Sequence, residues 1–180
     1  MPDRQEEIMR KLGEEGILIL SSNACAKMAE TVMNLVDFSN NHPTKEITLY
    51  ISSMVDDYVS MMTIYDVIKS ISNPVSCIVM GSISSYATLL AASCTKGKRA
   101  ALKHATLSID QPSAYLSVGT NLETDVTISA KEAKQERKEY ERILALETGM
   151  DEERIHQLAE EDTSLNPQEA IKLGIIDKVI

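Results

Sequence analysis

Residues 81–99, GSISSYATLLAASCTKGKR, decide how this chain folds. A short apolar run, Cys77 to Met80, stops at Gly81. A serine-rich turn follows, and then a helix-like run with small residues at Ala87, Ala91 and Ala92. A serine that opens a buried helix after a strand is well placed to be a nucleophile. Its hydroxyl stands beside backbone N–H groups able to hold an oxyanion. The same serines, Ser82, Ser84 and Ser85, also suit helix N-caps, where a side-chain oxygen accepts a bond from the next turn. Taken locally, capping is the commoner use of such residues, and the rest of the chain has to decide.

Working outward, strand-like and helix-like segments alternate. Residues 2–13 are charged, with Ile8, Met9 and Leu12 on one helical face, and Gly16 ends them. Ile17 to Leu20 reads as a buried strand, and Ala24 to Phe38 as a helix closed by Asn40, Asn41, His42 and Pro43. Ile47 to Ile51 is a second strand, Ser60 to Ser70 a helix, and Val75 to Met80 a third strand. The helix of the opening stretch and its basic turn, Lys96 to Arg99, lead to a fourth strand at Thr106 to Ile109. These crossovers suit right-handed βαβ units, and the continuous apolar strands suit a parallel sheet covered on both faces. Residues 113–128 read as an extended arm and Ser129 to Leu146 as the longest helix, polar over its first half. Asp151 to Glu160 is a helix, Asn166 caps another that begins with Pro167, and Ile175 to Ile180 is a closing strand. The expected fold class is α/β.

Composition narrows the function. The 180 residues fit one domain, with 43% hydrophobic and 25% charged residues. A net charge of −9 argues against a nucleic-acid or anionic-membrane surface as the main partner. No apolar window approaches the length of a membrane span, and no signal peptide is evident, so a cytoplasmic protein is expected. Cys25, Cys77 and Cys94 lack metal-site spacing and read as reduced core residues. Neither a cofactor nor a metal is expected.

Several stretches together carry a resemblance that runs from about Ile17 to Ile180. They are ITLYISS at 47–53, Ile64-Tyr65-Asp66, Leu89 to Arg99, Ile109 to Pro112 with its Gln-Pro, Thr124-Asp125 followed by Ile128, Thr148-Gly149, and Pro167 to Asp177. The chain resembles ClpP, the proteolytic subunit family of the ATP-dependent Clp protease, within the ClpP/crotonase superfamily. The resemblance implies a spiral of ββα units with a parallel sheet, an extended handle strand and a long handle helix. It implies a single ClpP-like domain over 1–180, with a head at about 1–112 and 147–180 and a handle at about 113–146. It also implies a Clp-type serine endopeptidase with a Ser-His-Asp triad. Ser85 falls on the nucleophile, Asp162 on the triad aspartate, and Asp110 on the position of the histidine.

That departure removes the general base. A serine hydroxyl needs a neighbour to take its proton, and imidazole does so because its pKa lies near working pH. Two carboxylates, Asp110 and Asp162, are expected to face one another, each disfavouring ionisation of the other. His42, His104 and His156 are not natural replacements; His104, for one, lies about 20 Å from Asp110 along an extended strand. The family's Ser-Pro-Gly-Gly turn is here Ser53-Met54-Val55-Asp56-Asp57, which loses the oxyanion-hole glycines and adds negative charge. Val55 and Tyr86 take the two oxyanion-hole positions. The expectation is a serine peptidase homologue with little or no activity alone, acting as a ring-forming or regulatory subunit. The alternatives are an active ATP-dependent peptidase with a non-standard site, and crotonase-like acyl-CoA chemistry using Asp110 or Asp162. The resemblance implies as partners further copies of the chain in a heptameric ring or double ring, a catalytic ClpP subunit, and an AAA+ unfoldase.

Overall fold

The computed structural model describes residues 4–21, 28–52, 57–111 and 123–180, with side chains from Ile128 onward in the last segment. The chain opens with helix α1 (Arg4–Glu14), strand β1 (Ile17–Ser21), helix α2 (Met28–Asn41) and strand β2 (Ile47–Ser52). Helix α3 (Tyr58–Ser70) and strand β3 (Val75–Val79) follow, then β4 (Ser82–Ile83), α4 (Ser85–Ser93), β5 (Arg99–Ala101) and β6 (Thr106–Ile109). The last third holds α5 (Glu123–Thr148), α6 (Glu152–Glu160), β7 (Thr163–Leu165), α7 (Pro167–Lys172) and β8 (Lys178–Val179).

The expected α/β class is what forms. Strands β1-β2-β3-β5-β8 make a five-stranded sheet, parallel at every pairing. A second sheet, β4-β6-β7, is parallel between β4 and β6 and antiparallel between β6 and β7. The main strands are not covered equally on both faces, as the apolar runs had suggested. Leu18 and Leu20, then Ile47, Leu49 and Ile51, then Val75, Cys77 and Val79 are buried, while Ile19, Tyr50 and Ile78 between them are half-buried. Side chains alternate across a strand, so only one set meets the helices of a single chain.

Each helix shows why its residues form it. Helix α2 turns Thr31, Leu35 and Phe38 inward at helical spacing. Helix α3 starts where the Asp57 carboxylate accepts from the Ser60 amide at 2.9 Å. In α4 every residue from Ser85 to Ser93 is buried, so this helix runs through the core. Asn166 caps α7 in a reciprocal box with Glu169, and Pro167 takes the first position as expected.

Three differences from the sequence expectation stand out. Residues 123–128 are helical rather than extended: α5 is 26 residues long and begins at Glu123. The β-branched residues there favour strand only weakly, and helix context overrides such a preference. Strands β4, β5 and β7 were not expected, since two or three residues carry no readable period. The closing strand is confined to Lys178–Val179, with Ile175 and Ile176 buried before it. The expected handle strand, 113–122, lies outside the described residues, as does Cys25. Cys77 and Cys94 are buried free thiols.

Candidate active site

The site forms where β4 and β6 end side by side. Gly81 sits at φ 61°, the left-handed region that glycine enters without penalty, and redirects the chain off β3. Its carbonyl accepts from the Thr106 amide at 2.8 Å. Ser82 then pairs with Thr106 and Ile83 with Leu107, in parallel. Parallel pairing sends both chains out at the same edge. One continues as Ser84 and Ser85 into α4, the other as Asp110.

Ser84 holds the N-cap position of α4 in extended backbone, and its carbonyl accepts from the Thr88 amide at 2.8 Å. Ser85 is the first helical residue and only 2% exposed. Its amide donates to Oδ1 of Asp110 at 3.2 Å, and its hydroxyl lies 3.1 Å from the Asp110 carbonyl oxygen. The hydroxyl is also in hydrogen-bond contact with Oδ1 of the same carboxylate. A hydroxyl carries one proton, so these two oxygens compete for it. Both the backbone and the side chain of Ser85 are therefore engaged by Asp110.

Asp162 approaches from the other side of β6. The antiparallel ladder pairs Ser108 with Ser164 and Ile109 with Thr163, its last pair. The ladder ends there, one residue short of Asp110 and of Asp162. There the chain turns: Asp162 is exposed, with a φ of 46°. Val55 lies outside the described residues. Tyr86, 2% exposed, is wedged edge-on between Tyr58 and Tyr140, with ring centroids 5.8 Å and 5.6 Å away.

Tyr140 was not singled out in the sequence. It is completely buried, and its hydroxyl has no hydrogen-bond partner among the described residues. Burial drives its phenol pKa well up, and the nearby negative charge of Asp110 adds to the effect. The surroundings of Tyr58 are acidic too. Burial, and then Glu132 and Asp57, raise the Glu136 carboxyl, while Tyr58 is raised by burial and by Glu139, Glu136 and Asp66.

A second group, also missed in the sequence, braces the strand end. Arg137 of α5 donates to Oε1 of Gln111 at 3.0 Å, to Glu141 at 2.8 Å and to Glu160 of α6 at 2.6 Å. Nδ1 of His156 lies 3.1 Å from the same Glu141 carboxylate. The i, i+4 spacing of Arg137 and Glu141 was the available signal. His42 packs against Phe38 with the rings tilted by 54° and their centroids 4.9 Å apart, and His104 is exposed in the turn before β6. Among the described residues no group of three or more His, Cys, Asp or Glu side chains is arranged for a metal, and no helix is long and apolar enough to cross a membrane.

A parallel α/β chain that sets a serine at the first turn of a buried helix, beside the residue following a neighbouring strand, offers that serine as a candidate nucleophile. The comparisons supply the family. The family model for Clp protease matches residues 2–180. An ATP-dependent Clp protease proteolytic subunit 2 of Frankia casuarinae is 36% identical over 171 residues, covering 94% of this chain and 77% of that protein. The chain belongs to the Clp protease family.

Proposed function

We propose that this chain is a Clp-family subunit with little or no peptidase activity of its own, which forms rings or joins a ring with a catalytic relative. One observation carries this reading: the Ser85 hydroxyl meets a carboxylate, Asp110, instead of an imidazole. A carboxylate is a much weaker general base near neutral pH. Loss of the histidine of a catalytic triad lowers turnover by roughly a millionfold in the subtilisin example. In this reading Ser85 stands in the nucleophile position, Asp110 in that of the base and Asp162 in that of the third member. Val55 and Tyr86 stand at the oxyanion-hole positions.

The assembly role draws support from Met33, Val36, Val59 and Leu146, large apolar side chains left exposed in the single chain. Residues 129–138 of α5, polar and mostly exposed, suit a handle that meets another subunit. In this reading the partner is an AAA+ unfoldase, the setting is cytoplasmic and the chain divides into head and handle, with the family relation as support. The test is an active-site fluorophosphonate probe: no labelling at Ser85 is expected, and clear labelling abolished by Ser85→Ala would overturn the inactive reading. Native mass measurement of the protein, alone and mixed with a catalytic ClpP, tests assembly. A ring mass is expected, and a strict monomer in both samples removes the assembly role.

A further inference from the structure

The carboxylate of Asp110 does more than replace a base. Helix α4 has Ser84 at its N-cap, yet that residue makes no side-chain capping bond. The capping acceptor comes instead from 25 residues further along the chain, where Asp110 Oδ1 receives the Ser85 amide. Ser84 and Ser85 are each 2% exposed, so the first turn of α4 has little water to satisfy its amides. A helix N-terminus also carries partial positive charge, which favours an anion there.

We propose that Asp110 is a built-in anionic ligand of the α4 N-terminus, an autoinhibitory plug that holds both donors of Ser85. While the plug is seated, an arriving carboxylate or acyl oxyanion finds the Ser85 amide and hydroxyl already taken. Without the carboxylate, the same place becomes a receptor for a small carboxylate such as formate or acetate. Its donors are the Ser85 N–H and Oγ–H. Tyr140, whose ring packs edge-on against Tyr86 of the same helical turn at 5.6 Å, is buried, and its hydroxyl has no partner among the described residues. The inference concerns anion occupancy and not turnover, so it stands or falls separately from the loss of peptidase activity.

The test compares the full chain as wild type, Asp110→Ala and Asp110→Asn by thermal unfolding, in chloride and in formate at equal ionic strength. Asp110→Ala is expected to unfold about 2–6 °C below wild type, the range for losing a buried cap in a chain of this size. Formate is expected to restore at least half of that loss, saturably, while wild type and Asp110→Asn, whose side chain still fills the place, show no such gain. Equal stability of Asp110→Ala and wild type, or the same formate response in both, overturns the proposal. If Asp110→Ala does not fold, amide exchange in Asp110→Asn decides. The Ser85 amide is expected to exchange several-fold faster than in wild type, with α6 and α7 unchanged, and an unchanged Ser85 rate refutes the plug.

Discussion

Substituting Arg99 by Ala tests how the deciding stretch is locked to the end of the chain. The Arg99 side chain is 5% exposed and Asp177 opposite it is 22% exposed. Oδ1 of Asp177 accepts from Nη2 of Arg99 at 2.6 Å, and Oδ2 accepts from Nε at 3.0 Å, from the Arg99 amide at 2.9 Å and from the Gly97 amide at 2.7 Å. Nη1 of Arg99 donates to the Ala92 carbonyl at the end of α4 at 3.2 Å. One guanidinium thus ties α4, β5 and the approach to β8. Removing one partner of a buried pair costs about 3–5 kcal/mol. Asp177 keeps two amide donors and some solvent, so the lower end, about 3 kcal/mol, applies here. For a domain of this size that lowers Tm by about 6–12 °C. The assay is thermal unfolding followed by circular dichroism, with Arg99→Ala/Asp177→Leu as the paired control, which should recover part of the loss. A drop smaller than about 3 °C would refute the reasoning. The pH dependence supplies a second check. Burial by itself would raise the Asp177 carboxyl, but the Arg99 side chain, the Arg99 amide, the Arg99 charge and the Gly97 amide outweigh it and hold the pKa below its ordinary value. A depressed carboxylate stabilises fully above its unfolded pKa, near 4, and loses that contribution as pH falls through the folded value. The gap between wild type and Arg99→Ala is therefore expected to be constant from about pH 5 to 8 and to narrow below about pH 4.

Gly174 sits at φ 71°, and a Cβ there would lie 2.6 Å from the backbone oxygen of Thr148. Gly174→Ala is expected to lose about 2–4 kcal/mol in urea unfolding, and a change under about 1 kcal/mol would show that the α5–α6 corner yields. Cys94 has its thiol pKa pushed well up, by its hydrogen bond with Cys77 and then by burial. At pH 8 iodoacetamide is expected to leave Cys77 and Cys94 unmodified in the native protein and to label both in urea; native labelling of either contradicts their burial. Asp110→His returns an imidazole but not the glycines of the 53–57 turn. Hydrolysis of a fluorogenic peptide is expected to stay near background, and robust turnover would show that Met54 and Val55 are compatible with an oxyanion hole.

Much of the framework was legible in the sequence because it repeats with a period. Strands β1 to β3 are rich in apolar residues, β6 alternates polar and apolar ones, and α2, α3 and α6 carry apolar faces at helical spacing. Asn166 and Pro167 announce α7 through capping chemistry alone. Ser85 and Asp110 could be singled out from neighbouring motifs, but that they meet could not be read there. Strands β4, β5 and β7 were not legible, since each owes its existence to partners far away. Ser82 and Ile83 are a strand only because Thr106 and Leu107 lie beside them.

By itself, then, the sequence determined the α/β class, the buried helix after Gly81 and the presence of an aspartate, Asp110, just before the Gln-Pro pair. Only the tertiary structure decided what that carboxylate does. The parallel end of β4 and β6 carries Asp110 onto the first turn of α4, where it takes both the amide and the hydroxyl of Ser85. The same fold buries Tyr140 against Tyr86 and sets Arg137 on Gln111. The physical reason is that periodicity reports which face of an element is buried, whereas a hydrogen bond across 25 residues depends on sheet register, which no local pattern encodes.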